Sequence, residues 1–215
     1  MKKIIFCFFF CVPCFVFAQF GLKAGLNFAN VTKASSISNS SRTGFHAGLL
    51  LSPSSKGILS SRTELIFSRQ GYDYKSGTNT GNVNLDYIML PQYLCINITK
   101  YFQIQFGGQM AFLLNAKADS NTTTTGTGSG SGSAILDFYN KFDYGYGGGI
   151  EIHPAKGLLI GGRVNISLAN LYKDMSTTTP GSTPSFIPKV DVKNNVFQFF
   201  AGWKFGGSKN KSKKG

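Results

Sequence analysis

Residues 142–168 read FDYGYGGGIEI, HPAKG and LLIGGRVNISL, and few architectures accept such a stretch. On the first arm Phe142, Tyr144, Tyr146, Ile150 and Ile152 alternate with Asp143, Gly145, Gly147, Gly149 and Glu151. On the second, Leu158, Ile160, Val164, Ile166 and Leu168 alternate with Gly161, Arg163, Asn165 and Ser167. A period of two on both sides of a Pro/Gly turn predicts a β-hairpin. One face is bulky and apolar, the other glycine mixed with charge. Each arm is also close to the roughly 9–11 residues that a tilted transmembrane strand needs.

The same pattern recurs along the chain. Residues 20–28 alternate Phe20, Leu22, Ala24, Leu26 and Phe28 with Gly21, Lys23, Gly25 and Asn27. Residues 44–52, 59–70, 102–115 and 195–205 follow suit. Residues 83–98 are less regular: Leu85 and Tyr87 share one parity, Leu94, Ile96 and Ile98 the other, and Pro91 between them suggests a bulge. Gly71 suggests a second bulge, after which Tyr72 and Tyr74 would change face. Polar stretches at 32–42, 75–82, 119–133 and 172–189 alternate with short turns at 53–57, 99–101 and 153–157. Eight strands with long loops at one end and tight turns at the other predict an all-β fold, an eight-stranded antiparallel up-and-down transmembrane β-barrel over residues 19–206. A basic polar tail follows at 207–215.

A soluble barrel with the apolar face inward is the rival, and volume argues against it. An eight-stranded barrel has an interior just wide enough for its side chains. It could not hold Phe20, Phe28, Phe45, Phe67, Phe102, Phe106, Phe112, Phe142, Trp203 and Phe205 together, whereas the glycine-rich face suits a crowded lumen. The aromatics also sort by height. Phe20, Phe102, Trp203 and Phe205 fall at the turn end, and Phe28, Tyr87, Phe142, Tyr144 and Tyr172 near the loop end, as two membrane-interface girdles would.

The first eighteen residues have the form of a secretory signal peptide. Lys2 and Lys3 precede an apolar run, and Val16, Phe17 and Ala18 fit a cleavage site before Gln19. The expected location is therefore the bacterial outer membrane, with cleavage after Ala18. Cys7, Cys11 and Cys14 would leave with the signal, so Cys95 has no intrachain disulfide partner. The formal net charge is +13, or +11 without Lys2 and Lys3. A secreted protein rarely meets nucleic acid, so outer-membrane lipids and lipopolysaccharide phosphates are the expected partners.

Charges on the inward face must pair, because a lone buried charge is costly. Arg62, Glu64, Asp143, Glu151, Arg163 and Lys204 are the expected lumen ion-pair network, with Lys23, His46 and His153 on the same face. The bland reading is a plug that fills the barrel; the alternative is a gated or proton-conducting path. His46 and His153 lack the companions a metal site needs, so no metal or cofactor is expected. Neither histidine stands in a motif with a serine, and no catalytic residue is assigned. The run 145–149 alternates within a strand and opens no helix, so it is not a phosphate loop.

The segments FGLKAGLNFAN at the start, ELIFSRQG at 64–71, DYIMLPQYL at 86–94 and FDYGYGGGIEI at 142–152 resemble the PorT-like outer-membrane β-barrel family of Bacteroidota. The resemblance implies an eight-stranded outer-membrane barrel and, through the family's name-giving member, a link to protein secretion. No residue here carries that role. The expected function is thus structural or interactive, with external loops and a filled lumen. The alternatives are an accessory component of secretion or envelope assembly and, further off, a small pore or lipid-modifying enzyme.

Overall fold

The computed structural model describes residues 18–32, 38–53, 57–76, 79–120, 136, 138–173 and 193–205. Residues 1–17, where the signal peptide is expected, residues 121–135 and 174–192, and the expected basic tail at 207–215 lie outside these residues. Eight strands form: β1 (Ala18–Thr32), β2 (Ser38–Pro53), β3 (Leu59–Ser76), β4 (Asn79–Asn97), β5 (Phe102–Ser120), β6 (Phe142–Ile152), β7 (Leu158–Ser167) and β8 (Lys193–Lys204). Each pairs antiparallel with its neighbour in sequence. Pairing of β1 with β8, from Gly21 opposite Lys204 to Thr32 opposite Lys193, closes the barrel. Closure leaves no open sheet edge within the barrel wall, as hydrocarbon requires.

The apolar face points outward on every strand. Phe20, Leu26, Phe28, Phe45, Phe106, Phe112, Tyr146, Phe199 and Trp203 are all exposed. Of the interface aromatics named from sequence, Phe20, Phe142, Tyr144, Trp203 and Phe205 are exposed, and Phe102 is partly so. Phe20 stacks on Phe205 at the turn end, while Phe112, Phe142 and Tyr144 make a row of rings at the loop end.

Inward glycines let the strands close on one another. A Cβ at Gly149 would lie 2.2 Å from the Gly162 carbonyl oxygen and 2.8 Å from the Arg163 Cα. Neighbouring Gly148 faces outward, where a Cβ would meet nothing nearer than 3.4 Å. The run 145–149 therefore holds three glycines that the close packing needs, Gly145, Gly147 and Gly149, and one that it does not, Gly148.

Four expectations are corrected. Strand β4 keeps a single parity through Pro91, so Leu85 and Tyr87 face the lumen rather than the lipid. Proline cannot donate to the ladder. The pairing with β3 simply skips Leu90 and Pro91 and resumes in the same register. At Gly71 the extra residue sits in the facing strand, because β2 takes five steps from Ser41 to His46 while β3 takes four from Tyr72 to Ser68. Tyr72 therefore stays on the lumen face, fully buried. Tyr87 and Tyr172 leave the predicted girdle, since both are interior. Finally, residues 75–82 are mainly a paired hairpin, with Lys75 opposite Thr80 and Ser76 opposite Asn79. Polar sequence there concealed strand, because a sheet standing in water needs no apolar face.

The interior has apolar clusters at both ends. Leu50, Leu159 and Phe200 pack together on the turn side. On the loop side Tyr72, Leu85, Tyr87, Leu113, Tyr139 and Tyr172 belong to a larger cluster. The Tyr72 hydroxyl bonds those of both Tyr139 and Tyr172, whose own segments bridge across the opening. Asn140 fastens these segments by donating to the carbonyls of Asn170 (2.7 Å) and Tyr172 (2.9 Å). Lower on β4, between Ser60 and Gln105, Cys95 is fully buried. In protein beginning at Gln19 it is the single thiol. It should resist a water-soluble thiol reagent in the folded barrel and react as one equivalent in denaturant; rapid labelling of the folded form would contradict a filled lumen.

Candidate functional site

The candidate site is the polar middle of the lumen, built by alternation on five strands. Inward positions bring Lys23 from β1, Arg62 and Glu64 from β3, Gln103 and Gln105 from β5, Glu151 from β6 and Arg163 from β7 to one level. All are less than 5 % exposed. Arg62 grips Glu151 with both terminal nitrogens, one of them at 2.8 Å from Oε1, and its Nη2 also donates to Gln103 Oε1 at 3.0 Å. Arg163 makes the matching bidentate pair with Glu64, at 2.9 and 3.1 Å. Lys23 Nζ adds a third cation to Glu64, also at 2.9 Å.

Gln105 joins the two pairs. Its Oε1 accepts from Arg163 Nη2 at 2.6 Å, and its Nε2 donates to Glu151 Oε2 at 2.9 Å. With Arg62 also 4.0 Å from Glu64, the ring Glu151–Arg62–Glu64–Arg163–Gln105 closes on itself. Bidentate guanidinium–carboxylate geometry is the strongest form such pairs take. Under this ring Arg163 lies 3.9 Å from the Tyr93 ring centroid, and Lys23 lies 3.9 Å from that of Phe200. These aromatic faces take up part of the positive charge where no further carboxylate is present.

Five of the six residues expected in the network meet: Arg62, Glu64, Glu151, Arg163 and, more loosely, Lys204, whose Nζ is 3.7 Å from Glu151. Asp143 is the exception. It lies nearer the loop end, accepts a hydrogen bond from Ser167 Oγ, and takes part in no ion pair among the described residues. Parity put it on the right face, but its height on β6 separates it from every interior cation.

His153 Nε2 approaches Glu151 Oε1 at 3.1 Å from the turn side. His46 bonds Asn27 Oδ1 at 2.8 Å and meets the Phe200 ring edge-on. The two histidines thus serve separate places, and among the described residues no group of three metal-ligating side chains forms. Tyr93, Gln103 and Gln105 are the members that sequence reasoning left out. Tyr93 was hidden by the irregular look of β4. Gln105 stood on the correct face, but an uncharged residue gave no sign that it would bridge two ion pairs.

Comparison with known proteins follows from this architecture. The family described as outer membrane protein beta-barrel domain matches residues 17–173. No curated protein matches the chain. Among solved structures, Ail, the attachment invasion locus protein of Yersinia pestis, is similar at 14 % identity with a TM-score of 0.48, covering 87 % of this chain and 99 % of its own. Neisserial surface protein A is similar at 13 % identity and TM-score 0.49, over 87 % and 99 % of the two chains. OprG from Pseudomonas aeruginosa is similar at 13 % and 0.41, over 88 % and 97 %.

Proposed function

The chain belongs to the outer membrane protein β-barrel domain family, and from that premise we propose that it is a sealed surface scaffold, anchored by its barrel and presenting a sheet for interaction beyond the membrane. The observation that carries this reading is the unequal length of the strands. Strands β2 to β5 run 16, 18, 19 and 19 residues, against 11, 10 and 12 for β6 to β8. A span needs only about 9–11. The surplus stands at the loop end as a four-stranded extension.

Its outward face is polar where the barrel's is apolar. Arg69 pairs with Asp86 at 2.7 Å, and one step higher Arg42 pairs with Asp73 at 2.7 Å. Its inner face is filled by Tyr72, Val83, Leu85 and Ala116 under the bridging segments. Pairing between β5 and β6 ends at Phe112 opposite Phe142, followed by one bond from Leu113 N to the Lys141 carbonyl. Beyond that point β5 pairs only with β4 among the described residues, so its outer edge offers backbone groups to an added strand. Exposed Lys75, Lys117, Lys141 and Lys173 lie at the same end, which suits the phosphates of lipopolysaccharide.

The barrel is read as a non-conducting anchor and not as an enzyme. Two ion pairs and a glutamine fill its middle, and apolar clusters lie to either side. His46 stands opposite Ser68 but bonds Asn27, and His153 meets Glu151, so among the described residues neither histidine is hydrogen-bonded to a hydroxyl or thiol. Reconstituted into a planar bilayer, the protein should leave the membrane silent at ordinary voltages; steady unitary currents would overturn the scaffold reading in favour of a pore. Lipid A and phospholipid composition should be the same with and without the gene, and a missing modification would restore the enzyme.

A narrower reading, an accessory role in secretion or envelope assembly, draws on the PorT-like character of ELIFSRQG and DYIMLPQYL. A stoichiometric envelope partner co-purifying from mildly solubilised membranes would favour it over a free-standing scaffold.

A further inference from the structure

At the turn end, opposite the extended sheet, a cavity of about 750 Å³ opens beneath the ion-pair ring. Its walls are the turns at 98–101 and 153–157 and the ends of β1 and β8. Short backbone bonds hold them: His153 N donates to the Tyr101 carbonyl at 2.8 Å, Lys204 N to Gly157 at 2.7 Å and Phe205 N to Phe20 at 2.7 Å. Gly157 takes φ of +89°, and a Cβ there would meet the Trp203 ring at 2.9 Å, so the turn carrying Lys156 is built against the tryptophan. The cavity is a shaped one, within the roughly 300–1,000 Å³ of small-molecule sites.

Its lining is one-signed. Lys100, Lys156 and Lys204 contribute to the wall together with His153, and among the described residues no aspartate or glutamate does. The nearest carboxylate, Glu151, is already held by Arg62 and met by His153. Lys204 reaches it only at 3.7 Å, longer than a hydrogen bond. Tyr101 and Trp203 complete the wall, rings of the kind that settle at headgroup depth. In barrels of this type the short turns face the periplasm, so the cavity looks into the inner leaflet's headgroup layer.

We propose that this cavity binds the phosphate of a net-anionic phospholipid headgroup from the inner leaflet, with Lys100, Lys156 and Lys204 as the cationic contacts and Trp203 packed along the glycerol. The proposal rests on the barrel's membrane setting but not on the scaffold reading, because the two concern opposite ends.

Trp203 is the only tryptophan in the chain, so its fluorescence reports on the cavity directly. The protein from Gln19 onward, refolded in neutral detergent micelles, is titrated with short-chain phosphatidylglycerol, phosphatidylcholine of the same chain length, and inorganic phosphate. Phosphatidylglycerol should change the Trp203 emission saturably, with half-saturation about tenfold or more below that of phosphatidylcholine. Reversing charge with Lys100→Glu and Lys156→Glu, both on exposed turns, should raise that half-saturation by about tenfold. Lys156→Gln is the milder variant should the double reversal fail to refold, and a severalfold weakening is expected. Equal responses to the two lipids, or no effect of either substitution, would overturn the site. Inorganic phosphate saturating it as well as the lipid would overturn the lipid as ligand.

Discussion

Replacing Glu64 with glutamine should cost the barrel about 3–5 kcal/mol, the usual loss when one side of a buried ion pair is removed. Glu64 is the most heavily loaded group in the lumen, with Arg163 bidentate at 2.9 and 3.1 Å, Lys23 at 2.9 Å and Arg62 at 4.0 Å. The buried middle already holds Lys23, Arg62 and Arg163 against Glu64 and Glu151, an excess of one cation. Glu64→Gln raises that excess to two, in a place where water cannot screen it. Adding Lys23→Met should recover part of the loss by removing the surplus charge. Glu151→Gln should be milder, because Lys204 and His153 keep 14 % and 20 % of their side chains open to solvent and can rehydrate. Urea unfolding in detergent, followed by circular dichroism and by heat-modifiable gel mobility, measures all three. A Glu64→Gln loss below about 1 kcal/mol, the worth of an exposed pair, would show that the network contributes little to stability.

Gly149→Ala and Gly148→Ala should differ sharply although the residues are adjacent. The methyl at 149 would be driven into the Gly162 carbonyl and the Arg163 backbone, none of which can rotate away. The expected cost is on the order of 1–3 kcal/mol, as for other overpacked interiors, and more if the strand spacing must open. It would also push Arg163 off Glu64. The methyl at 148 meets only the Gln105 carbonyl oxygen, at 3.4 Å, an ordinary contact on the lipid face. There the loss of glycine's freedom in the unfolded chain should leave stability unchanged or raised by about 0.4–1 kcal/mol. Equal effects would mean that strand spacing does not depend on the inner glycine.

Much of the barrel was legible in the chain because alternation is a local signal. Residues 142–152 announce their two faces without any knowledge of neighbours, and the phenylalanines are too bulky for an eight-stranded lumen. Legibility failed where local pattern and environment part. On β4, Leu85 and Tyr87 look like lipid-facing residues because they are apolar, yet they line an interior that turns apolar at the loop end. Around residues 75–82 a polar run looks like a loop, yet it is sheet standing clear of the membrane.

Sequence by itself thus determined the strand number, the closed antiparallel form and which face meets lipid, since period two and side-chain volume depend only on residues near in the chain. Tertiary structure alone decided which lumen charges meet. Arg62 and Glu151 are 89 positions apart, and Arg163 and Glu64 are 99. Their meeting depends on barrel register and height, which alternation does not encode. Asp143 shares their face and misses them for that reason, while Gln105, with no charge to mark it, joins the two pairs.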